Sequence, residues 1–381
     1  VAEIEIGLGK DGRRGYSLDE VVVVPSRRTR DADEVDLSWQ IDAYQFDIPV
    51  MASATDGVTS PATAIEMGRL GGVGVLHLEG LWTRYEDPAP VLERIAEAAA
   101  AGDDGVAVLR EAYAPPVDPE LIARRVEEIR AGGATACVAV SPARTEALLA
   151  HVVRAEPDLL VIHGTVTSAE HVSGGAHEPL DLKHLVRRLE VPVIVGGCAS
   201  YQAALHLMRT GAAGVLVGIG SGAASTTASV LGVGIPHATA IADARAARMR
   251  HLDETGVYVH VIADGGMATG GDIAKAVVCG ADAVMMGAPL AGADEAPARG
   301  ALWSMTAFHR SLPRGRLRRV APLGPLERIL HGPSDRVDGR TNLMGGLRKA
   351  MAVTGYATLK EFQKAEVMVT APPAVRPEGQ R

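Results

Sequence analysis

Short β-branched runs recur along the chain, each bounded by Gly, Pro or Asp: PVMASA at 49–54, VGVLHL at 73–78, TACVAVS at 135–141 and LLVIHG at 159–164. Four more follow: VPVIVGG at 191–197, GVLVGIG at 214–220, YVHVIAD at 258–264 and ADAVMMG at 281–287. Runs this continuously apolar suit parallel strands covered on both faces, whereas half-exposed antiparallel strands would alternate. Helical spacing between them predicts helices over 61–69, 118–131, 143–156, 181–190, 200–210, 239–252 and 271–279, with a last one over 345–356. An eightfold strand and helix alternation predicts a closed α/β barrel of the (β/α)8, or TIM, type. A doubly wound open sheet is the alternative. No G-x-G-x-x-G turn follows the first strand, and eight parallel units in series favour closure.

One segment breaks the rhythm. Between Leu290 and Gly345 lie about fifty-five residues rich in Gly, Pro and Arg, far beyond the two to six of an ordinary βα loop. They issue from the carboxyl end of strand eight, the face where barrel sites sit, so 291–344 is expected to act as a flap within a single domain spanning 1–381. The chain of 381 residues is 47% hydrophobic, enough for one large core. Thirty-eight basic against 46 acidic residues give a net charge of −8, with 3% aromatic residues, so the footprint of a nucleic-acid binder is missing. The cluster Arg314, Arg316, Arg318 and Arg319 is the local exception. Three cysteines, Cys137, Cys198 and Cys279, show no CxxC and no metal-like spacing to His, which fits a reducing compartment. The opening residues lack the apolar core of a signal peptide, and no run of eighteen apolar residues occurs, so a cytoplasmic protein without membrane contact is expected.

Candidate chemistry collects at the last three strand ends. Strand six runs into GIGSGAASTT at 218–227, and the next turns supply ADGG at 263–266 and MGAPLAG at 286–292. Glycine there lets bare backbone N–H groups approach an anion, and in barrels a phosphate typically rests on the last βα loops. Asp264 ends an apolar strand and points towards the mouth; its carboxylate can accept from two vicinal hydroxyls, as a ribose presents. A capping or turn aspartate is the alternative.

These residues resemble the IMP dehydrogenase and GMP reductase family. GYSLDEVVVVPSRRT at 15–29 is similar to its opening segment, MASATDGVTS at 51–60 to its first loop, and VGIGSGAASTTASVLGVGIP at 217–236 to its nucleophile loop. IADGGMATGGDIAKAVVCGADAVMMGAPLAGADEAP at 262–297 resembles its phosphate-side strands, and GGLRKAM at 345–351 its last helix. The family's paired CBS domain has no room between Leu81 and Val106, which resembles the GMP reductases and a compact bacterial branch of dehydrogenase-like paralogues; GLWTRYEDP at 80–88 and LPRG at 312–315 point to that branch. The resemblance implies a purine 5′-monophosphate held by Ser53, Gly222, Asp264, Gly265, Gly266 and Gly287, with Met305 against the base. It implies an NAD(P) cofactor on the side of His163 and Gly164, and a monovalent cation such as K+ on the carbonyls of Gly220, Gly222 and Ser225. Arg314 and Arg319 fall in the flap, and a homo-oligomer, a tetramer, is implied.

The chemistry departs from the family's pattern. Ser225 stands where a cysteine attacks the purine, and a hydroxyl needs an adjacent base to become a nucleophile. Ala223 and Ala288 stand where phosphate-binding serines are usual, Thr55 where a methionine packs on the base, and His163 where an aspartate holds the cofactor ribose. The Arg-Tyr pair that activates water is absent, and Arg314 takes the flap glutamate's position, although Thr227 is retained. Two functions follow. One is an NAD(P)-dependent purine-nucleotide oxidoreductase acting on GMP or a purine analogue by a modified mechanism, with Ser225 and Thr227 as the catalytic pair. The other is a catalytically silent nucleotide-binding paralogue with a regulatory or assembly role.

Overall fold

The alternating apolar runs close into a ring. A computed structural model describes residues 3–172 and 180–370. Its centre is eight parallel strands: β1 (Val50–Ala52), β2 (Val73–His77), β3 (Cys137–Val140), β4 (Leu159–His163), β5 (Val193–Cys198), β6 (Gly214–Val217), β7 (His260–Asp264) and β8 (Ala283–Met286). Each pairs with its successor, and β8 pairs back onto β1 through Val284 with Val50, Met285 with Met51 and Met286 with Ala52. The barrel expected from the pattern is therefore present. Its strands carry near-continuous buried side chains, as a sheet enclosed on both faces requires.

Helices return the chain between strands: α1 (Pro61–Arg69), α2 (Pro119–Ala131), α3 (Thr145–Ala155), α4 (Leu182–Arg188), α5 (Tyr201–Met208), α6 (His237–Thr255), α7 (Gly270–Cys279) and α8 (Leu343–Thr354). Their starts follow capping chemistry. Ser60 and Thr269 each accept the N–H three residues on, at 3.0 and 3.1 Å, and Pro61 opens α1 where its missing N–H costs nothing. Gly74 in β2 is needed for packing: a Cβ there would lie 2.6 Å from Ala64 Cα of α1. Helix α6 extends beyond its expected bounds at both ends, and its first turn is tied to the opening segment by Tyr16, whose N–H donates to Thr239 Oγ1 at 2.7 Å.

The two ends of the barrel differ. At the amino end of the strands a hairpin, Trp39–Ile41 with Tyr44–Phe46, stacks Trp39 on Phe46 and sets it edge-on to His260. Beside it Asp282 is buried and fully engaged. It accepts from Arg248 Nη1 at 2.7 Å, Tyr258 Oη at 2.6 Å, the Val261 N–H at 2.8 Å and Gln363 Nε2 at 3.0 Å.

The carboxyl end carries the additions. After β2 come helices over Ala89–Ala101 and Val106–Ala112, which the strand pattern does not foretell. After β8 the expected flap is an ordered segment, with a two-stranded ribbon pairing Ala301 with Arg319 and Leu302 with Arg318, and a helix over Leu326–His331. A second apolar core joins the two additions, with Leu81, Leu92, Ile95, Leu109 and Tyr113 against Trp303 and Leu317. No helix among the described residues is long and apolar enough to cross a membrane.

Removing one partner of a buried, hydrogen-bonded ion pair strands the other charge. Asp282→Ala is therefore expected to lower unfolding free energy by about 3–5 kcal/mol in a denaturant titration. A loss below about 1 kcal/mol would show that Arg248 finds another partner or reaches water.

Candidate functional site

Barrel closure decides which loops meet. Ser53 follows β1 and Gly287 follows β8, so the pairing of those strands sets them side by side: the Ser53 N–H donates to the Met286 carbonyl at 2.9 Å, and a Cβ on Gly287 would lie 2.9 Å from Ser53 Oγ. That hydroxyl is buried and has no partner. Next round the ring, Gly265 and Gly266 both adopt left-handed conformations, φ +78° and +76°, which a side chain would strain. A Cβ on Gly265 would lie 3.0 Å from the Gly222 N–H, so the loops after β6 and β7 are in contact. Ser221 Oγ fixes their junction by donating to the Asp264 carbonyl at 2.5 Å. Gly222, Asp264, Gly265 and Gly266 thus form one group, with Ser53 and Gly287 beside it.

Asp264 is not alone at the mouth. His163 ends β4, with β5 and β6 between it and β7, yet its Nε2 lies 3.2 Å from Asp264 Oδ2. Burial pulls the imidazole's pKa down, but the hydrogen bond and charge of Asp264 outweigh it, and the balance is raised. His77, ending β2, is buried and pushed down to about 4, chiefly by desolvation, so it stays neutral. His237, at the start of α6, donates from Nε2 to the Val217 carbonyl at 2.9 Å, which leaves Nδ1 as a buried acceptor without a partner beneath Gly266. Burial lowers its pKa as well. Among these imidazoles His163 is the one favoured as a cation.

The loop carrying Ser225 is clamped from above. Thr226 N–H donates to the Arg314 carbonyl at 3.2 Å and Arg316 N–H to the Ala224 carbonyl at 2.9 Å, pairing Ser225 with Gly315 as in an antiparallel ladder. Ser225 Oγ donates to Thr227 Oγ1 at 3.1 Å. No described base meets that hydroxyl. The three cysteines do not substitute for it: all are free, Cys137 is buried, and burial pushes the thiols of Cys198 and Cys279 up to about 12 and about 11.

In the overlying segment Met305 is half-buried, with Sδ 3.9 Å from Tyr113 Oη. Arg319 is exposed on the ribbon; its neighbour Arg318 reaches the loop, donating from Nη1 to the Ala223 carbonyl at 3.0 Å. Arg314 Nε is buried without a partner, and its Nη1 meets the Leu312 carbonyl at 3.4 Å. Residues missed by sequence reasoning are Ser221, His237 and the buried pair Asp56 and Tyr113, while Arg318 is marked there only as part of a basic cluster. Ser221 carried a signal, lying inside the glycine loop.

The implied ligands can be set against these contacts. Of the three carbonyls named for a monovalent cation, that of Gly222 accepts the Ser225 N–H at 2.9 Å and is drawn into a turn. No group of three or more metal-binding side chains occurs among the described residues. On the cofactor side His163 is taken up by Asp264, and Gly164 exchanges two backbone hydrogen bonds of 2.7 Å with Gly196 and Gly197. This arrangement does not fit a nicotinamide ribose.

With this geometry in hand, comparisons with known proteins are specific. The IMP dehydrogenase / GMP reductase domain family matches residues 15–317. An uncharacterized oxidoreductase of Mycolicibacterium smegmatis is 51% identical over 374 residues, covering 96% of this chain and 99% of that one. An inosine-5′-monophosphate dehydrogenase of Methanocaldococcus jannaschii is 26% identical over 477 residues, 95% of this chain and 94% of that one. Among solved structures, an IMP dehydrogenase/GMP reductase-like protein from Corynebacterium glutamicum superposes with a TM-score of 0.91 at 46% identity, covering 97% of this chain and 98% of that one.

The mouth pair has a pH signature. Because the folded-state pKa of His163 lies above its unfolded value of 6.5, its contribution is fully present below 6.5 and is lost as pH rises through the raised value. The stability gap between wild type and His163→Asn should therefore narrow from about pH 5 to about pH 9 in denaturant titrations. A gap independent of pH would mean that the imidazole is neutral throughout.

Proposed function

Because the chain belongs to the IMP dehydrogenase / GMP reductase family, we propose that it binds a purine 5′-monophosphate at the barrel mouth, within an oxidoreductase scaffold. One observation carries this reading. Gly222, Asp264, Gly265 and Gly266 converge beside Ser53 and Gly287, placing backbone donors, a buried unpartnered hydroxyl and a carboxylate at neighbouring strand ends. Ser53, Gly222, Gly265, Gly266 and Gly287 hold the phosphate, Asp264 takes the ribose hydroxyls through the oxygen not engaged by His163, and Met305 faces the base. The segment 291–344 is the flap over this site. GMP or a purine analogue is the substrate class. A tetramer in a reducing cytoplasm completes the reading, supported by the family and by three free cysteines.

A nicotinamide cofactor supplies or accepts hydride in such a reaction. Since His163 and Gly164 do not fit it as arranged, we derive no step through it and none through a bound cation. What the chain's own residues do is narrower. They hold phosphate and ribose, and they pair Gly315 with Ser225 beside the base. Covalent attack is disfavoured, since Ser225 Oγ has Thr227 Oγ1 as its partner and no base to take its proton. That contact favours the second reading, a catalytically silent nucleotide-binding protein with a regulatory or assembly role.

A melting-curve screen of purine 5′-monophosphates against their nucleosides tests the binding. At about 100 times Kd a nucleotide should stabilise by ~2.7 kcal/mol while the nucleoside does not. Equal stabilisation by both would remove the phosphate site. Nicotinamide absorbance on whichever nucleotide binds then separates the two readings: turnover sinks the silent one, and its absence with the oxidised and the reduced forms of both NAD and NADP sinks the oxidoreductase.

A further inference from the structure

A buried carboxyl group outside the nucleotide machinery ties together three chain segments of the mouth. Asp56 lies in the loop after β1 and is 1% exposed. Its Oδ2 accepts the Leu81 N–H at 3.0 Å and the hydroxyl of Tyr113. Leu81 and Tyr113 belong to the addition after β2. Tyr113 Oη in turn accepts from Trp303 Nε1 at 2.9 Å, and its ring stacks on Phe308 with centroids 3.9 Å apart and planes 8° from parallel. Trp303 and Phe308 belong to the segment after β8. A second link runs beside the first, as Thr55 Oγ1 donates to the Trp303 carbonyl at 2.9 Å.

Two features show that this is more than core packing. Asp56 Oδ1 is buried without a partner, lying where a Cβ on Gly80 would come within 2.2 Å. Desolvation, only partly offset by Tyr113, Leu81 and Arg84, pushes its carboxyl up to about 6. An ionised carboxylate there costs stability at neutral pH, and an amide could accept from the same two donors without the charge. The geometry also has a direction. Met305 lies between Trp303 and Phe308 in sequence, with Sδ 3.9 Å from Tyr113 Oη, so anything that moves Tyr113 moves the residue that faces the base.

We infer that Asp56 and Tyr113 are positioning residues for base recognition, holding the Trp303–Phe308 segment at a set height over the nucleotide's ring. The inference rests on the nucleotide reading above and deepens it: the addition after β2 becomes a functional part of the base pocket. Both residues are buried behind the Trp303–Phe308 segment. Tyr113 donates its one proton to Asp56 and accepts from Trp303, so it links the two. The titratable and charged groups facing Asp56 are Tyr113 and Arg84, whose guanidinium lies 5.6 Å from the centre of the Tyr113 ring.

The test compares GMP with ribose 5-phosphate, which lacks the base, by isothermal titration calorimetry. Their affinity ratio isolates base recognition and cancels titration of the shared phosphate and of the His163–Asp264 pair. Tyr113→Phe should lower the ratio about tenfold, as loss of one hydrogen bond to a charged group implies, while ribose 5-phosphate affinity stays within about twofold. Asp56→Asn keeps an oxygen for Tyr113 and should hold the ratio near wild type at about pH 8. If Tyr113→Phe fails to fold, Trp303→Phe, which removes the indole N–H, answers the same question. Parallel weakening of both ligands, or no weakening, overturns the positioning role. Wild-type protein that binds ribose 5-phosphate as tightly as GMP does so too, and wild-type protein that binds neither overturns the nucleotide reading itself.

Discussion

Pairing of β8 with β1 is the constraint on which the mouth depends. Three residue pairs, Val284 with Val50, Met285 with Met51 and Met286 with Ala52, close the ring and so bring together loops from opposite ends of the barrel sequence. Ser53 meets Gly287 only because of it. Closure also fixes the diameter across which His163 reaches Asp264. An open sheet of the same strands would leave the β1 loop and the β7 and β8 loops at separate edges, with no shared site.

Given closure, the mouth is an electrostatic arrangement as much as a shape. Asp264 is flanked by His163 and lies near His237, and burial keeps His237 and His77 in their neutral forms while Asp264 favours the charged form of His163. The one imidazole of the three that is shifted towards its charged form thus lies against the carboxylate proposed to take the ribose hydroxyls. Opposite it, the segment after β8 is fastened by backbone hydrogen bonds to the loop of Ser225 and by Tyr113 and Asp56 to the loop after β1. Backbone fastening is indifferent to side-chain identity, so the loop would keep the same place with a hydroxyl or a thiol at position 225.

Much of this was legible in the sequence, for a physical reason. Strands buried on both faces leave an unbroken apolar run, and the glycines at 222, 265, 266 and 287 mark places where backbone must come close. What could not be read depends on contacts between distant segments. The helix over Ala89–Ala101 buries Val91, Leu92 and Ile95 against the segment after β8 rather than the barrel, so no strand–helix alternation announces it. Asp56 sits in a TDG stretch that reads as an ordinary turn, and its importance comes from Tyr113 and Trp303, fifty-seven residues away and further. His163 was noticed as a departure from the family's pattern, but its partner is known only once strands four and seven face each other across a closed ring.

The central claim is that Asp264 recognises a ribose at the mouth, and it is tested most directly by titrating wild type and Asp264→Ala with a purine 5′-monophosphate and with its 2′,3′-dideoxy counterpart. Only the former presents the vicinal hydroxyls that the carboxylate would accept. A hydrogen bond to a charged group contributes roughly 1.5–3 kcal/mol, so the substitution should weaken the ribonucleotide more than about tenfold and the dideoxynucleotide much less. Equal loss of affinity for both ligands would contradict the account and make Asp264 a structural partner of His163 alone.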